Sequence, residues 1–127
     1  MLNRIHHTAI ICSDYEKSKN FYTKILGLEI IRETYRAERQ SYKLDLALHG
    51  QYIIELFSFP TPPQRLSRPE ATGLRHLAFE VDNLHGVVKN LLMMSVPAEA
   101  IRRDEITAKN FTFIFDPDNL PIELYEK

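Results

Sequence analysis

The sequence predicts a mixed fold of helices and strands, built from two copies of one β-α-β-β-β module. The first observation is a repeat. Residues 5–14 (IHHTAIICSD) and residues 73–84 (GLRHLAFEVDNL) each place a histidine in an apolar run that is followed by a polar helix-start signal. The second observation is that each copy closes on a glutamate inside an apolar run, Glu55 in YIIELF and Glu123 in PIELYE. Together they indicate an internal duplication.

The spacing of these residues supports the duplication. His7 and Glu55 are 48 residues apart, and His76 and Glu123 are 47 residues apart. Two histidines and two carboxylates therefore occupy corresponding places in the two copies.

The elements of the first module follow from local pattern. Residues 5–12 are apolar and rich in β-branched side chains, which predicts a strand. Ser13, with Glu16 three residues later, forms a capping box that predicts a helix over 14–26, and Gly27 supplies its left-handed cap. Three further strands are predicted at 28–35, 42–48 and 52–57, the last two joined by a tight turn at 49–50.

A proline-rich linker precedes the second module. Residues 58–73 contain four of the seven prolines, which predicts a stiff segment able to form a lid or pocket wall. The second module is predicted to begin with a strand at 75–81 and a helix that Asp82 or Asn83 caps. Its remaining strands are predicted at 98–103, 111–115 and 121–125, with a turn at 116–119. The organisation is thus a single domain over 1–127, with module one at 5–57, the linker at 58–73 and module two at 74–127.

Composition narrows the classes of function. The net charge of −1 argues against nucleic-acid or membrane binding driven by bulk charge, and no apolar run is long enough to span a bilayer. The single cysteine, Cys12, cannot form an intrachain disulfide and is predicted to be a core residue. A cytoplasmic location is expected. Because either module alone is small for a stable core, the two should share one core or use a partner chain.

Strand alternation allows a test of whether the four residues could share a site. Each falls on the strand face opposite a largely apolar face that could pack on a helix. Two neutral imidazoles and two carboxylates make a ligand set that suits one divalent ion such as Ni, Zn, Co, Mn or Fe. A single histidine or glutamate in such a strand is more often structural. Four at equivalent points favour a metal site, which also satisfies carboxylates that are costly to bury unpaired. The predicted ligands are His7, Glu55, His76 and Glu123.

At these residues the sequence resembles the vicinal oxygen chelate superfamily, which includes glyoxalase I, bleomycin-resistance proteins and dioxygenases. The resemblance covers nearly the whole chain and is carried by residues 7–28 (HTAIICSDYEKSKNFYTKILGL), 73–84 and 116–126 (DPDNLPIELYE). Asp14 and the FYxxxLG helix set the register on His7 rather than His6. The resemblance implies an eight-stranded, incompletely closed barrel of two βαβββ modules around the metal, and a homodimer.

The full histidine-glutamate set resembles that of the glyoxalase-type metalloenzymes most. This implies a metal-dependent lyase or isomerase, similar to lactoylglutathione lyase, acting on a small substrate that chelates the metal through two vicinal oxygens. By position Glu123 would be the shuttling base, with Glu55 a ligand and possible second base. Tyr125 could steady the Glu123 carboxylate if its hydroxyl faces the site. The expected glutathione contacts are missing, because Ile11 and Phe59 stand where the family's enzyme has an arginine and an asparagine.

Other chemistries remain open on the same scaffold. They are epimerisation of an acyl thioester, thiol transfer, ring-cleaving dioxygenation, and drug binding without a metal in the manner of bleomycin-resistance proteins. Five arginines could bind an anionic substrate at the mouth of the site, although a solvated surface is the commoner reason for such residues, except for the linker pair Arg65 and Arg68. The other three are Arg36, Arg39 and Arg75.

Overall fold

Two four-stranded sheets contain all the strands of the chain. The structure, a computed structural model, describes all of residues 1–127 and divides into two units, Met1–Gln64 and Arg65–Lys127, with one sheet in each. Both sheets are open, and each unit has the order β-α-β-β-β. The predicted mixed α and β fold of two modules is confirmed. No helix of the chain is both long and apolar enough to cross a membrane.

In the first unit the sheet has the order β1-β4-β3-β2, with β1 parallel to β4 and the other neighbours antiparallel. The first helix continues into a π-helical turn, and a short 3₁₀ turn at Ala37–Arg39 separates the second strand from the third. The elements are β1 Thr8–Cys12, α1 Tyr15–Asn20, the π-helical turn Phe21–Ile25, β2 Glu29–Arg36, β3 Ser41–Leu48 and β4 Gln51–Ser58.

The second unit repeats this topology. Its sheet has the order β5-β8-β7-β6, and again the first strand pairs in parallel with the last. The elements are β5 Leu77–Val81, α2 Leu84–Met93, β6 Arg102–Arg103, β7 Asn110–Phe115 and β8 Pro121–Glu126.

The start of α1 differs from the prediction. The capping box at Ser13 and Glu16 is wrong, because Asp14 is the N-cap and its Oδ1 accepts a hydrogen bond of 3.1 Å from the Lys17 amide. A carboxylate is a stronger acceptor than a hydroxyl and also interacts favourably with the positive end of the helix dipole. The left-handed cap at Gly27 is confirmed by its φ of 79°.

The strand predicted at 98–103 is much shorter than expected. Only Arg102 and Arg103 pair with β7. Residue Glu99 instead bonds to β7 outside the ladder: its amide donates to the Phe113 carbonyl at 2.9 Å, and its carbonyl accepts from the Thr112 hydroxyl at 2.7 Å. These contacts satisfy the backbone without a continuous ladder.

The core of each unit lies on one face of its sheet. In β4 the buried residues are Ile54 and Leu56, and in β8 they are Ile122 and Leu124. Helix α1 packs near β4 and α2 near β8, so the apolar strand face turns toward the helix. Each fully buried side chain of this kind contributes about 1.5–3 kcal/mol. Cys12 is fully buried, as predicted. The glutamates between these residues consequently lie on the other face.

Candidate metal centre

The first histidine and glutamate meet across the parallel pair β1 and β4. Ala9 is the register partner of Glu55, and His7 lies two residues before Ala9, so His7 and Glu55 share a face. His7 Nε2 lies 3.3 Å from Glu55 Oε2. The histidine itself stands one residue before the strand begins, and its side chain is 34% exposed.

The second pair has the same geometry. Ala78 is the register partner of Glu123, His76 lies two residues earlier, and His76 Nε2 lies 3.2 Å from Glu123 Oε2. Parallel pairing of the first and last strands therefore produces a histidine-glutamate pair in each unit. Within the chain there is no group of three or more histidine, cysteine or acidic side chains that could hold a metal ion, so each pair supplies two donor groups.

The spacing within each pair fits two ligands of one ion. Two donor atoms that each lie about 2.1 Å from an ion, at an angle of about 90–110°, are about 3.0–3.4 Å apart. The observed distances of 3.3 and 3.2 Å fall in that range. A direct charge-assisted hydrogen bond would be shorter, about 2.7–2.9 Å. The spacing of each pair therefore fits two of the ligands of a divalent ion.

His6 supports His7 from the side away from Glu55. The Nδ1 atoms of the two rings are 2.8 Å apart, and the rings meet edge to face. If His7 coordinates through Nε2, its Nδ1 carries the proton and donates it to His6, which fixes the tautomer of the ligand. In the second unit His76 Nδ1 is buried without a hydrogen-bond partner, and its ring packs edge-on against Phe113.

Glu55 is held by a polar network that the sequence did not reveal. The Tyr52 hydroxyl lies 2.8 Å from Glu55 Oε2 and 3.0 Å from Asp45 Oδ1, and its single proton is shared between these two acceptors. Lys43 Nζ lies 3.0 Å from Asp45 and 3.7 Å from Glu55. Burial alone would raise the pKa of Asp45, but hydrogen bonds from Lys43 and Tyr52 outweigh it and lower that pKa. Desolvation, with the two carboxylates, raises the pKa of Tyr52, which keeps its proton as a donor.

Glu123 has a different environment. Its register partner on β7 is Phe113, where the first unit has Asp45 opposite Glu55. Its ion-pair partner is His76. The expectation that Tyr125 steadies this carboxylate is wrong, because the Tyr125 hydroxyl bonds to Asp104 at 3.0 Å and to Thr107.

Two residues mark the positions where glutathione contacts were expected. Ile11 is 55% exposed and apolar, and Phe59 stacks on Phe57 with ring centroids 6.1 Å apart. Neither can pair with a carboxylate. His49 lies in the β3–β4 turn with a φ of 50°, and His85 is exposed on α2, so both lie outside the pairs.

Comparison with known proteins supports the same fold. The model of the glyoxalase/bleomycin resistance protein/dioxygenase superfamily matches residues 4–124. The chain is 62% identical to YwkD of Bacillus subtilis (all of this chain, 99% of the relative) and 58% identical to YaeR of Escherichia coli (99% and 98%), both named as uncharacterized. It is 29% identical to a lactoylglutathione lyase of Escherichia coli O157:H7, over 98% of this chain and 93% of that enzyme.

A solved structure shows the same similarity in three dimensions. The glyoxalase family protein of Enterococcus faecalis superposes with a TM-score of 0.90 at 47% identity, and the match covers 97% of each chain. The two βαβββ units of the chain are consistent with these matches. The chain belongs to the glyoxalase/bleomycin resistance protein/dioxygenase superfamily.

Proposed function

We propose that the protein is a divalent-metal-dependent lyase or isomerase of the glyoxalase type, which moves a proton on a small substrate that chelates the metal through two vicinal oxygens. The observation that carries the proposal is the pair of equivalent histidine-glutamate contacts, at 3.3 and 3.2 Å. The distant similarity to a lactoylglutathione lyase supports the reaction class.

In this proposal one ion is held by His7, Glu55, His76 and Glu123, with the two pairs brought together from the two modules of one chain or of two chains. The ion, when bound, would supply Lewis-acid polarisation of the substrate oxygens. The two histidines would bind the ion as neutral rings through Nε2, and the contact with His6 would hold His7 in the tautomer that allows this.

The two glutamates take different roles. Glu55 is held by Tyr52 and lies near Lys43, so it remains in place as a ligand. Glu123 lies beside an aromatic wall and has no such network, so its carboxylate can swing toward the substrate and accept a proton at Oε. A carboxylate next to an apolar surface regains basicity when it leaves a cation, which is what a general base requires.

The substrate in this proposal is small and is not recognised through glutathione. Ile11 and Phe59 give an apolar surface where glutathione would need charged or amide contacts. A hemithioacetal formed by another thiol presents two vicinal oxygens without those contacts. An acyl thioester whose neighbouring carbon is epimerised offers its carbonyl oxygen, and its second chelating oxygen would have to come from a substituent on that carbon.

Metal analysis tests the ligand set. Protein purified without chelators and then dialysed should retain about one ion per chain, and His76→Ala should lose it. His85→Ala is the matched control, because His85 is exposed on α2 and belongs to neither pair. Retention of the full metal content in His76→Ala would remove that residue from the site. The metal-loaded protein would then be assayed on 2-oxoaldehyde hemithioacetals of several thiols and on acyl thioesters.

A further inference from the structure

The second unit contains a cavity of about 300 Å³ that begins at His76 and Phe113 and extends to the linker. Its wall carries four arginines and two glutamates besides apolar side chains, so it has an excess of positive charge. The charged lining residues are Arg65, Arg68, Arg75, Arg102, Glu70 and Glu99.

The strand order places one end of this cavity on the same face as the candidate metal ligands. Arg102 of β6 is the register partner of Phe111, and Phe111, Phe113 and Arg102 share one face of the sheet with Glu123. Across the order β5-β8-β7-β6, that face presents in turn His76, Glu123, Phe113 and Arg102. Neighbouring strands are about 4.8 Å apart, and Arg102 is offset from Glu123 by two residues, about 6.8 Å, along the strands, so the two side chains start from backbone positions about 12 Å apart.

Phe113 forms the floor between the two ends. The His76 ring lies 5.2 Å from the Phe113 ring, and the guanidinium carbon of Arg102 lies 5.7 Å from it. The guanidinium carbon of Arg102 also lies over the Phe111 ring, 5.0 Å from its centroid, within the range of a cation–π contact. A short apolar substrate body over Phe113 would therefore reach the metal ligands at one end and Arg102 at the other.

The four arginines are not equally available to a ligand. Arg65 is already used, because it donates to the carbonyls of Leu74 at 3.1 Å and Arg75 at 2.9 Å and to Ser67. Arg75 lies 3.5 Å from Glu70. Of the two linker arginines singled out by the sequence, only Arg68 keeps its guanidinium free of the backbone, and its side chain is 81% exposed.

Arg68 and Arg102 share a single carboxylate. Arg102 lies 3.4 Å from one oxygen of Glu99, and Arg68 lies 3.9 Å from the other. Charge-assisted bonds are normally about 2.7–2.9 Å long, so neither contact is tight. One carboxylate opposite two guanidinium groups leaves one positive charge unbalanced, and the long contacts cost little to exchange for a better acceptor.

We propose that this cavity is a subsite for the anionic end of the substrate, a carboxylate or phosphate group that Arg68 and Arg102 bind together. The substrate class is then a short compound with two vicinal oxygens at one end and an oxyanion at the other. This inference rests on the proposed function for the role of the chelating end, but the anion subsite exists independently of the metal. The planar fork of a guanidinium matches both kinds of oxyanion.

Anion binding to metal-free protein tests the subsite alone. Inorganic phosphate and acetate would be titrated into chelator-treated, dialysed protein at constant ionic strength, with binding followed by NMR chemical-shift changes. We expect saturable binding of at least one probe, and a loss of at least about tenfold in affinity in Arg68→Gln and in Arg102→Gln. The stronger probe identifies the oxyanion, phosphate or carboxylate.

Arg103→Gln is the matched control. Arg103 neighbours Arg102 in β6, is exposed, and points to the opposite face. Arg102→Lys keeps the positive charge and the aliphatic stem but lacks the planar fork, so it should bind more weakly than wild type. Because Arg68 is exposed, its variant remains informative if Arg102→Gln fails to fold. The subsite is overturned if neither probe saturates, or if both arginine variants bind like Arg103→Gln.

The outcome can be separated from that of the proposed function. Arginine-dependent anion binding together with metal retention in His76→Ala would keep the subsite and reject the ligand set. Loss of metal in His76→Ala without arginine-dependent anion binding would support the ligand set and reject the subsite.

Discussion

Glu55 and Glu123 occupy equivalent strand positions but have different neighbours. Glu55 accepts a hydrogen bond from Tyr52 and lies opposite Asp45, whereas Glu123 lies opposite Phe113. The two carboxylates, one in each unit, are thus held by different numbers of neighbouring groups. That inequality, rather than position alone, assigns the general base in the proposed mechanism.

Replacement of each glutamate by glutamine tests this assignment. Glu123→Gln keeps the size and a neutral oxygen donor but cannot accept a proton, so we expect metal to bind more weakly and turnover to fall roughly 10²-fold or more. Glu55→Gln should weaken metal binding more than turnover. The measurement is kcat at saturating metal on the substrate identified in the assays above.

Glu80→Gln is the control for these variants, because Glu80 is an exposed carboxylate on β5. Wild-type turnover by metal-loaded Glu123→Gln would show that another group takes the proton.

Tyr52 offers a second test, of how Glu55 is positioned. Tyr52→Phe removes the hydroxyl that bonds Glu55 and Asp45, and loss of such an outer partner typically lowers metal affinity about 10–100-fold. Tyr125→Phe is the matched control, because its hydroxyl bonds Asp104 and Thr107 instead. Competition with a chelating dye measures both affinities. Equal affinities in the two variants would mean that Tyr52 does not position the ligand.

The sequence predicted the face of each glutamate but not the role of Tyr52. Alternation along a strand correctly set Glu55 opposite the buried Ile54 and Leu56. Tyr52 is three residues from Glu55, which in a regular strand means the opposite face. The structure has a β-bulge there, since Leu46 pairs with Ile54 but Ala47 pairs with Tyr52. The extra residue places Tyr52 on the same face of the sheet as Glu55. The local composition does not predict a bulge at this point.

Helix α2 begins with a side-chain cap from Asn83 that leaves no room for a Cβ atom at Gly86. The Asn83 Oδ1 accepts from the Gly86 amide at 3.0 Å, and a Cβ added at Gly86 would lie 2.7 Å from Asn83 Nδ2. The sequence left Asp82 and Asn83 as alternative caps, and the structure selects Asn83. The glycine at the third helical position, Gly86, is therefore needed because the capping side chain of Asn83 occupies the space of a Cβ atom.

This contact predicts strong coupling between the two positions. Asn83→Ala should cost about 1 kcal/mol of unfolding free energy, as loss of a helix cap does. Gly86→Ala should gain up to about 1 kcal/mol from helix propensity, but only when Asn83 is already alanine. In the wild type the added methyl displaces the cap and cancels that gain. Urea denaturation of the wild type, the two single variants and the double variant gives the free energies of this double-mutant cycle. Additive changes in the free energy of unfolding would show that the two positions are not coupled.

The second module shows where element prediction from sequence ends. Strand β7 and the turn at 116–119 follow from apolar alternation and from Asp116, whose Oδ1 accepts from the Asp118 and Leu120 amides. The segment 98–103 has a strand-like composition, yet Glu99 bonds Phe113 and Thr112 outside the ladder. Contacts between residues far apart in the chain set the length of β6, so the composition of the segment alone cannot predict that length.

At the scale of the whole molecule, duplication explains why the two units could be predicted from the sequence. The repeat of histidine, helix and glutamate gives the same strand order twice, with the same parallel contact between first and last strands. Two units of 64 and 63 residues each bury a limited core. Apolar side chains also remain exposed on β2, including Ile30 and Ile31.

We propose a homodimer in solution, because small units with exposed apolar strands gain stability from a partner chain. Light scattering at micromolar concentration should give twice the chain mass of 14.9 kDa. A species of 14.9 kDa alone would contradict the proposal. Replacement of both Ile30 and Ile31 by Ser, compared with Leu66→Ser in the linker, would show whether β2 contributes to the interface.

The parallel contact between β1 and β4 also bears on how long the folded protein resists proteolysis. An ion held by His7 and Glu55 would be a cross-link closing a loop of 48 residues, and a permanent link of that length restricts the unfolded chain by about 4 kcal/mol. The same holds for the second module. Chains deprived of metal would therefore open more often and be cleaved sooner by proteases. The supply of metal in the cell would then control how long each folded molecule survives as well as how many are active.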